Sequence, residues 1–563
     1  MTGTASVAER EQTRRRPSIA RQWLFPSLTD LFFIITFGLT FLLNSTGWDN
    51  LVRDGDTGMH IRAGDYILAT RHVPTQDLFS FSRAGQPWAD WEWLSQAVFA
   101  LLHHWWGLKG VVLFSAVLVV AVFTLLMRQA LWRGANSILA FVLVFLAINM
   151  ACVHLLARPH IFTLLFLMVT MFLIAADRRR RSAAIWLLLP IATLWANLHG
   201  GFAILFPILG LLVLGSAVEG YLYPGERALR WSDARRYAVL GLGTGLASLV
   251  NPYGIRLHLH ILDIMSAKWL LNVVTEFASP SFRSEQMLVF MALLFLSLAV
   301  VVPLIQKRKM TEALWIVFFA YCGLMSIRHV PLFALAVVPI VAEEISSWWE
   351  GWTRFKSRDS VPRVLSDLAA QIGAYFGPVT LWIPIFLLAV ALGGWVRWPT
   401  DIYPLACPSN LIARHASQIE SARILTPDQW GDYLIYHYYP RVRVFIDGRS
   451  DFYGERIIAD YLKISKGQHD WKQLVEQYRF DMVLCPVDWA LASLLKYQPD
   501  WLVVEDDGKV ILFQREAARR WIGSQTAAAI QSESPNKDKV RQPALPLLLT
   551  ALPSVGVGPF AGK

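Results

Sequence analysis

The sequence predicts an all-α polytopic membrane bundle of about eleven transmembrane helices, followed by an external α/β domain near the C-terminal end. Three observations carry this expectation. Of the 563 residues, 55% are hydrophobic and 17% are charged, against about 25% charged in a typical soluble protein. Long apolar runs recur, Val111 to Leu126 and Leu288 to Leu304 among them, and they suit helices of the roughly 20 residues needed to cross a bilayer. Tryptophan is abundant at 24 copies, as expected of side chains that settle at membrane–water interfaces.

The spans are expected near 24–45, 109–131, 137–156, 160–176, 183–198, 200–218, 236–250, 287–305, 312–327, 330–346 and 376–396. The shorter ones remain plausible because helices tilt and bilayers adapt. Met1 to Arg21 is polar and lacks a small-residue cleavage site, so the first apolar helix is expected to act as an uncleaved signal-anchor. The basic residues place the N-terminus on the cytoplasmic side. With that orientation, inner segments hold Arg14 to Arg16, Arg128, Arg133, Arg178 to Arg181, Arg227 to Arg236, Lys307 to Lys309 and Arg354 to Arg363, while the outer short loops hold only Arg158, Arg256, Lys268, Arg283 and Arg328. The formal charge of +10 therefore reflects topology, and nucleic acid is not an expected partner. All 13 histidines fall on the outer side or in the C-terminal domain of this arrangement.

The predicted regions are a cytoplasmic tail (1–23), a transmembrane domain (24–396) containing a long first periplasmic loop (46–108), an external α/β domain (397–520), and a Pro/Ala/Ser-rich tail (521–563) whose composition suits disorder. No internal repeat is evident. Of the four cysteines, Cys152 and Cys322 lie in apolar runs as small buried hydrophobes. Cys407 and Cys485 are available to pair if their domain is external, and no two cysteines have metal-ligand spacing.

The first outer loop opens with Arg53-Asp54-Gly55-Asp56-Thr57-Gly58-Met59-His60. Two carboxylates separated by Gly can converge on one divalent metal, Mg or Mn, or on one sugar hydroxyl. Either is equally suited to cap the helix that follows. That helix, Thr57 to Thr70, is amphipathic with Met59, Ala63, Tyr66, Ile67 and Thr70 on one side, and His60 shares a face with Asp56. A second acidic pair, Asp90 and Glu92, sits among Trp88, Trp91 and Trp93. Residues 91–106 then place Trp91, Leu94, Val98, Leu101, Leu102 and Trp105 on one face, as in an interfacial helix.

Four further clusters punctuate span ends on the same side: Ala157-Arg158-Pro159-His160, Trp195-Ala196-Asn197-Leu198-His199-Gly200-Gly201, Asn251-Pro252-Tyr253-Gly254 with Arg256, and Arg328-His329-Val330-Pro331. Glu276 lies in the loop after the seventh span. Turn punctuation and snorkelling explain each one singly. Together, their Arg and His residues suit an anionic phosphate. The spans carry almost no ionisable residue at mid-depth, which disfavours an ion-coupled transporter. In the C-terminal region, Arg443 to Ile446 and Met482 to Cys485 read as strands, and Trp501 to Glu505 with Val510 to Gln514 as a hairpin around Asp507-Gly508. Asp447-Gly448-Arg449 is either a turn bracing an ion pair or, at a strand's C-terminal end, an acceptor- or glycan-binding element.

This layout resembles the GT-C superfamily of glycosyltransferases, and more closely the bacterial dolichyl-phosphate-mannose-protein mannosyltransferase-like membrane proteins. The resemblance lies in a first helix, a long outer loop opening on an Asp-x-Asp motif, many further spans and an external C-terminal domain. The segment Asp56-Thr57-Gly58-Met59-His60-Ile61-Arg62-Ala63-Gly64 is similar to that group's Asp-Thr-x-x-His-Ile-x-x-Gly, and the Arg-Pro-His, Asn-Leu-His-Gly and Asn-Pro-Tyr-Gly elements look alike too. The resemblance implies hexosyl or pentosyl transfer from a polyprenyl-phosphate-linked sugar to a glycan, lipid or protein acceptor on the periplasmic face of a bacterial inner membrane. It casts Asp56 as catalytic base with Asp54 as its partner. It casts Arg158, His160, His199, Arg256, Arg328 and His329 as donor-phosphate contacts, and His60, Asp90, Glu92, Asn197 and Glu276 as substrate contacts. The alternatives are a transporter or flippase of lipid-linked glycans, an O-antigen-type polymerase or ligase, and a non-catalytic scaffold of the same fold.

Overall fold

The computed structural model describes residues 24–402 and 407–516. The expected cytoplasmic tail, with Arg14 to Arg16, and the expected disordered tail at 521–563 lie outside the described residues. Among those described, six helices are long and apolar enough to cross a membrane: Leu108–Arg133, Ser137–His154, His160–Arg179, Gly200–Leu222, Glu285–Gln306 and Ile327–Thr353. Four shorter apolar helices accompany them, at Leu28–Leu42, Ala183–Leu198, Met310–Met325 and Trp382–Leu392. The span expected at 236–250 is the C-terminal half of a helix, Arg227–Ser248, whose first turns are charged.

Leu108–Arg133, His160–Arg179 and Ile327–Thr353 form the centre, because apolar residues cover most of their circumference and they bury most of it. Ser27 and Asp30 form a reciprocal cap on the first helix. The fully buried Asp30 also accepts from the Thr380 backbone N–H and hydroxyl, both at 2.9 Å. The first apolar helix is thereby tied to the segment entering the last one.

The basic residues assigned to the inner side are largely paired. Arg133 meets Glu343 at 2.7 Å, Arg178 meets Glu219 at 3.1 Å, Arg236 meets Asp177 at 3.0 Å, and Lys309 meets both Glu343 and Glu344 at 2.8 Å. These pairs gather around the start of helix Met310–Met325, where Glu219 also accepts the Met310 N–H at 3.1 Å. Buried carboxylates in the spans are thus neutralised by partners.

The first outer loop folds into a short helix, Gly47–Leu51, and two longer ones, Asp56–Thr70 and Trp93–Trp106. The longer two cross so closely at Gly64 that a Cβ there would lie 2.0 Å from the Gln96 carbonyl oxygen. The second of these turns Ser95, Gln96, Phe99 and Ala100 inward and leaves Leu101, Trp105 and Trp106 exposed. Leu94, Val98 and Leu102 pack partly against the core, so only the C-terminal end of the expected apolar face is exposed.

The C-terminal region carries a four-stranded sheet in the order β1-β2-β4-β3, with β1 Ile424–Leu425, β2 Met482–Pro486, β3 Trp501–Asp506 and β4 Val510–Arg515. The first pair is parallel and the hairpin antiparallel. The expected strand at 443–446 is absent from this sheet. Its alternation of Val442, Val444 and Ile446 is that of an extended segment, but Val444 pairs with the first outer loop instead, exchanging backbone hydrogen bonds with Phe79 O at 3.0 Å and Phe81 N at 2.9 Å. Cys407 and Cys485 are free thiols, so no disulfide joins them.

Candidate active site

The N-terminus of helix Asp56–Thr70 organises the site. Gly55 is its N-cap residue and makes no side-chain cap, so neither aspartate takes the N-cap position. Asp54 instead accepts the Asp56 N–H at 3.2 Å through Oδ1. Asp56 occupies the first turn, where the partial positive charge of the helix end favours a carboxylate. The loop before helix His160–Arg179 is strapped to this turn: Ala157 N–H donates to Leu51 O at 2.7 Å, and the Thr57 hydroxyl donates to Ala157 O at 3.1 Å. Arg158 is therefore delivered to the aspartates. Its guanidinium lies 2.5 Å from Asp54, 3.0 Å from Asp56 and 3.1 Å from Glu276. About 15% of the Asp56 side chain stays accessible, enough to meet a ligand atom.

Burial disfavours charge on Glu276, but Arg158 and Arg328 outweigh it and hold the carboxyl down at about 2. At Asp54 burial wins against Arg158 and raises the carboxyl to about 7. The Arg158 guanidinium fills the place between Asp54 and Asp56 that a divalent cation would need. Among the described residues no group of three metal-ligating side chains converges. The Asp54/Asp56 pair, closed on Arg158, does not fit Mg or Mn.

Beside this centre lies a second buried network. Glu92 faces His199 at 3.4 Å and His60 at 3.7 Å. His199 Nδ1 accepts the Gly201 N–H at 2.9 Å and meets the Thr163 hydroxyl at 2.8 Å, so Nε2 carries the proton toward Glu92. Gln96 donates to Asp90 at 2.7 Å. Burial raises Glu92 to about 8 despite Arg328, raises Asp90 to about 7 despite Arg449, and lowers His60 to about 3, aided by Arg158. Carboxyls raised above their unfolded values favour the neutral form, so the stability they contribute is lost as pH rises through the folded values. The thermal midpoint of the purified protein should therefore fall between about pH 6.5, above which neutral His60 no longer offsets the loss, and about pH 8. Glu92→Gln should flatten that decline; an unchanged slope in a scanning-calorimetry series would contradict the assignment.

Arg328 is the uncommitted cation of this region. It is half-buried over the Phe277 ring at 5.3 Å, no hydrogen bond or ion pair holds it among the described residues, and its charge reaches Glu92, Glu276 and His199. The other predicted contacts are committed. Asn197 donates to Thr193 O and Val250 O at 2.8 Å and accepts from Trp93 at 3.0 Å. His160 donates to His154 O at 2.7 Å, and His329 lies 3.3 Å from Cys322 O.

Arg256 departs from the expected cluster. Beyond the Asn251–Gly254 turn, where Gly254 adopts φ +54°, helix Ile255–Ser266 carries Arg256 into a separate cavity of about 560 Å3, lined by Trp88, Tyr253, His260 and Asp451. Arg449 lies over the Trp88 ring at 4.5 Å.

Sequence reasoning missed Gln429 and Asp432, while Asp447-Gly448-Arg449 takes the first of its two expected forms. Gln429 accepts the Gly55 N–H at 2.7 Å and approaches Asp56 at 3.4 Å. Asp432 lies fully buried beside them. Asp447-Gly448-Arg449 is an ion-pair turn: Arg449 joins Asp447 at 2.6 Å to Asp77 of the first loop at 2.8 Å, and Tyr453 donates to Asp447 at 2.7 Å.

No protein-family model and no curated protein matches the chain. Among solved structures, it is similar to the archaeal oligosaccharyltransferase AglB from Archaeoglobus fulgidus in complex with an inhibitory peptide and a dolichol-phosphate, at 11% identity over 86% of this chain and 73% of that one, with a TM-score of 0.49. It is likewise similar to the oligosaccharyltransferase of that organism in the apo form, at 12% identity over 82% and 69% of the two chains with a TM-score of 0.48. A third match is that enzyme tethered to an acceptor peptide containing the NVT sequon, at 11% identity over 87% and 73% with a TM-score of 0.48. At that similarity, the chemistry has to be read from the site itself.

Proposed function

We propose that this chain is a GT-C-type membrane glycosyltransferase that moves a sugar from a polyprenyl-phosphate carrier to a glycan, lipid or protein acceptor. The chain would sit in a bacterial inner membrane with its N-terminus cytoplasmic, and the reaction would take place at its periplasmic face. The observation that carries this reading is the convergence of Asp54, Asp56, Arg158 and Glu276 from three separate loops at one end of the apolar helices. The positive-inside charge pattern of the sequence supports the orientation.

In this reading Asp56 accepts the proton of the acceptor hydroxyl as its oxygen attacks the anomeric carbon. The bond from that carbon to the phosphate oxygen breaks, and polyprenyl phosphate leaves. Arg158 keeps both aspartates in place and is too heavily paired to serve the phosphate as well. Arg328 is free to hold the departing charge. Arg328→Ala should lower kcat/KM for the donor by about 10²-fold, and Arg328→Lys should recover part of it, lacking the planar fork. Wild-type kinetics in the Ala variant would remove that role.

The proposal is tested by label transfer from a panel of polyprenyl-phosphate sugars in proteoliposomes, comparing wild type with Asp54→Asn and Asp56→Asn. Transfer by wild type with loss in Asp56→Asn is the expected result. Equal transfer by all three forms would eliminate the base.

A further inference from the structure

The helix Asp428–Tyr438 of the C-terminal unit lies against the helix that begins at Asp56. Arg62 donates to Tyr436 O at 2.6 Å, and His103 meets the Tyr436 hydroxyl at 2.9 Å. The fit is closest at the N-terminal ends. A Cβ on Gly55 would lie 2.6 Å from Asp432 Cβ, and a Cβ on Gly448 would lie 2.1 Å from Asp56 Oδ1 and 3.1 Å from Asp432 Oδ2. The two carboxyls are thus packed together through glycine gaps that admit no other side chain.

Asp432 is 0% exposed. Its Oδ2 accepts the Gly448 N–H at 3.0 Å, and its Oδ1 has no hydrogen-bonding donor partner. A fully buried carboxylate packed against a second carboxylate is disfavoured in its charged form, so Asp432 keeps a proton. Asp56 has Arg158 at 3.0 Å to stabilise its charge. No cation lies within ion-pair distance of Asp432 among the described residues, and the other acidic groups facing it are Asp428 and Asp447. Burial, then Asp56, Asp447 and Asp428, push its carboxyl well above the ordinary range.

We propose that Asp432 is a positioning residue for Asp56: its protonated carboxyl donates a hydrogen bond to the Asp56 carboxylate, so that the C-terminal unit completes the catalytic centre. This rests on the reading of Asp56 as the base. Asp432 touches neither donor nor acceptor. It fixes the orientation of the Asp56 carboxylate and keeps a second negative charge out of its surroundings.

The test uses the full-length protein in proteoliposomes and compares Asp432→Asn, Asp432→Leu and Asp56→Asn, with thermal midpoints measured alongside. Asn keeps an N–H donor for Asp56 and should retain most of the wild-type kcat. Leu has similar bulk and no donor, and should lose roughly 10- to 100-fold in kcat with donor KM little changed, the worth of one hydrogen bond to a charged group. An Asn variant as inactive as Leu overturns the proposal, because an ionised carboxylate is then required. Wild-type kcat in a folded Leu variant overturns it too. If the Leu variant does not fold, the Asn variant decides alone: near wild-type kcat supports the proposal, and inactivity overturns it. If Asp56→Asn transfers at the wild-type rate, the base assignment falls and the proposal with it. If Asp56→Asn is inactive while Asp432→Leu matches wild type, only the proposal falls.

Discussion

Asp56→Asn should lower kcat for sugar transfer by about 10² to 10⁴-fold, the usual contribution of a positioned general base, while leaving the KM for the donor nearly unchanged. Asparagine preserves the shape and the contact with Gln429 but cannot take the acceptor's proton. It also removes one of three carboxylates around Arg158, and the remaining two still balance that cation. The protein should therefore stay folded, and initial-rate kinetics on the purified variant separate the cases. A rise in donor KM with intact kcat would show that Asp56 binds rather than reacts. Asp54→Asn should fall between this variant and wild type. Asp54 acts on the base indirectly, by holding Arg158 at 2.5 Å and accepting the Asp56 N–H.

The second large effect is expected at Arg449. Its side chain is 6% exposed, between Asp77 and Asp447 at 0% each, and Phe79, Trp88 and Phe452 enclose it. Arg449→Met keeps the bulk but leaves two buried carboxylates without their cation. Breaking such a pair costs about 3–5 kcal/mol. Because Asp77 belongs to the first outer loop and Asp447 to the C-terminal unit, the loss should loosen their contact as well as lower the melting temperature. Limited proteolysis should then cut the first outer loop around Asp77 faster than in wild type. Arg449→Lys should be intermediate, since an ammonium cannot serve both carboxylates with a fork. An Arg449→Met protein with wild-type melting and cleavage would refute this account of how the C-terminal unit is held.

The apolar helices were legible because a bilayer demands long uncharged runs, and Leu108–Arg133 or Glu285–Gln306 can hardly be read otherwise. The two longer helices of the first outer loop were legible from their 3.6-residue period. Of the face expected to be apolar in Trp93–Trp106, Leu101 and Trp105 are exposed while Leu94, Val98 and Leu102 pack partly inward. The meeting of Asp54, Asp56, Arg158 and Glu276 was legible only as a list of candidates. Nothing in the spacing of residues 56, 158 and 276 states that they touch.

Two misreadings have physical causes. The apolar run at 443–446 is a true signal of extended backbone, but sequence does not say whose backbone it will pair with, and Val444 pairs with Phe79 and Phe81. Arg256 looked equivalent to Arg158 and Arg328 because each lies beside a proline- or glycine-containing turn, yet the direction of helix Ile255–Ser266 after Gly254 sends it into a different cavity. Asp432 went unseen because Asp428–Tyr438 resembles an ordinary amphipathic helix. The one available hint was Gly431-Asp432 on a face otherwise made of Trp430, Leu434 and Ile435, a small residue and an acid where a buried helix would carry bulk.

The most direct test of the central claim is the stoichiometry of bond cleavage in proteoliposomes: free polyprenyl phosphate released against labelled sugar transferred to acceptor. The account predicts one carrier phosphate released for each sugar transferred by wild type, and both products reduced together by about 10²-fold or more in Asp56→Asn. Movement of the intact lipid-linked sugar across the bilayer with no polyprenyl phosphate released would contradict it and identify a flippase instead.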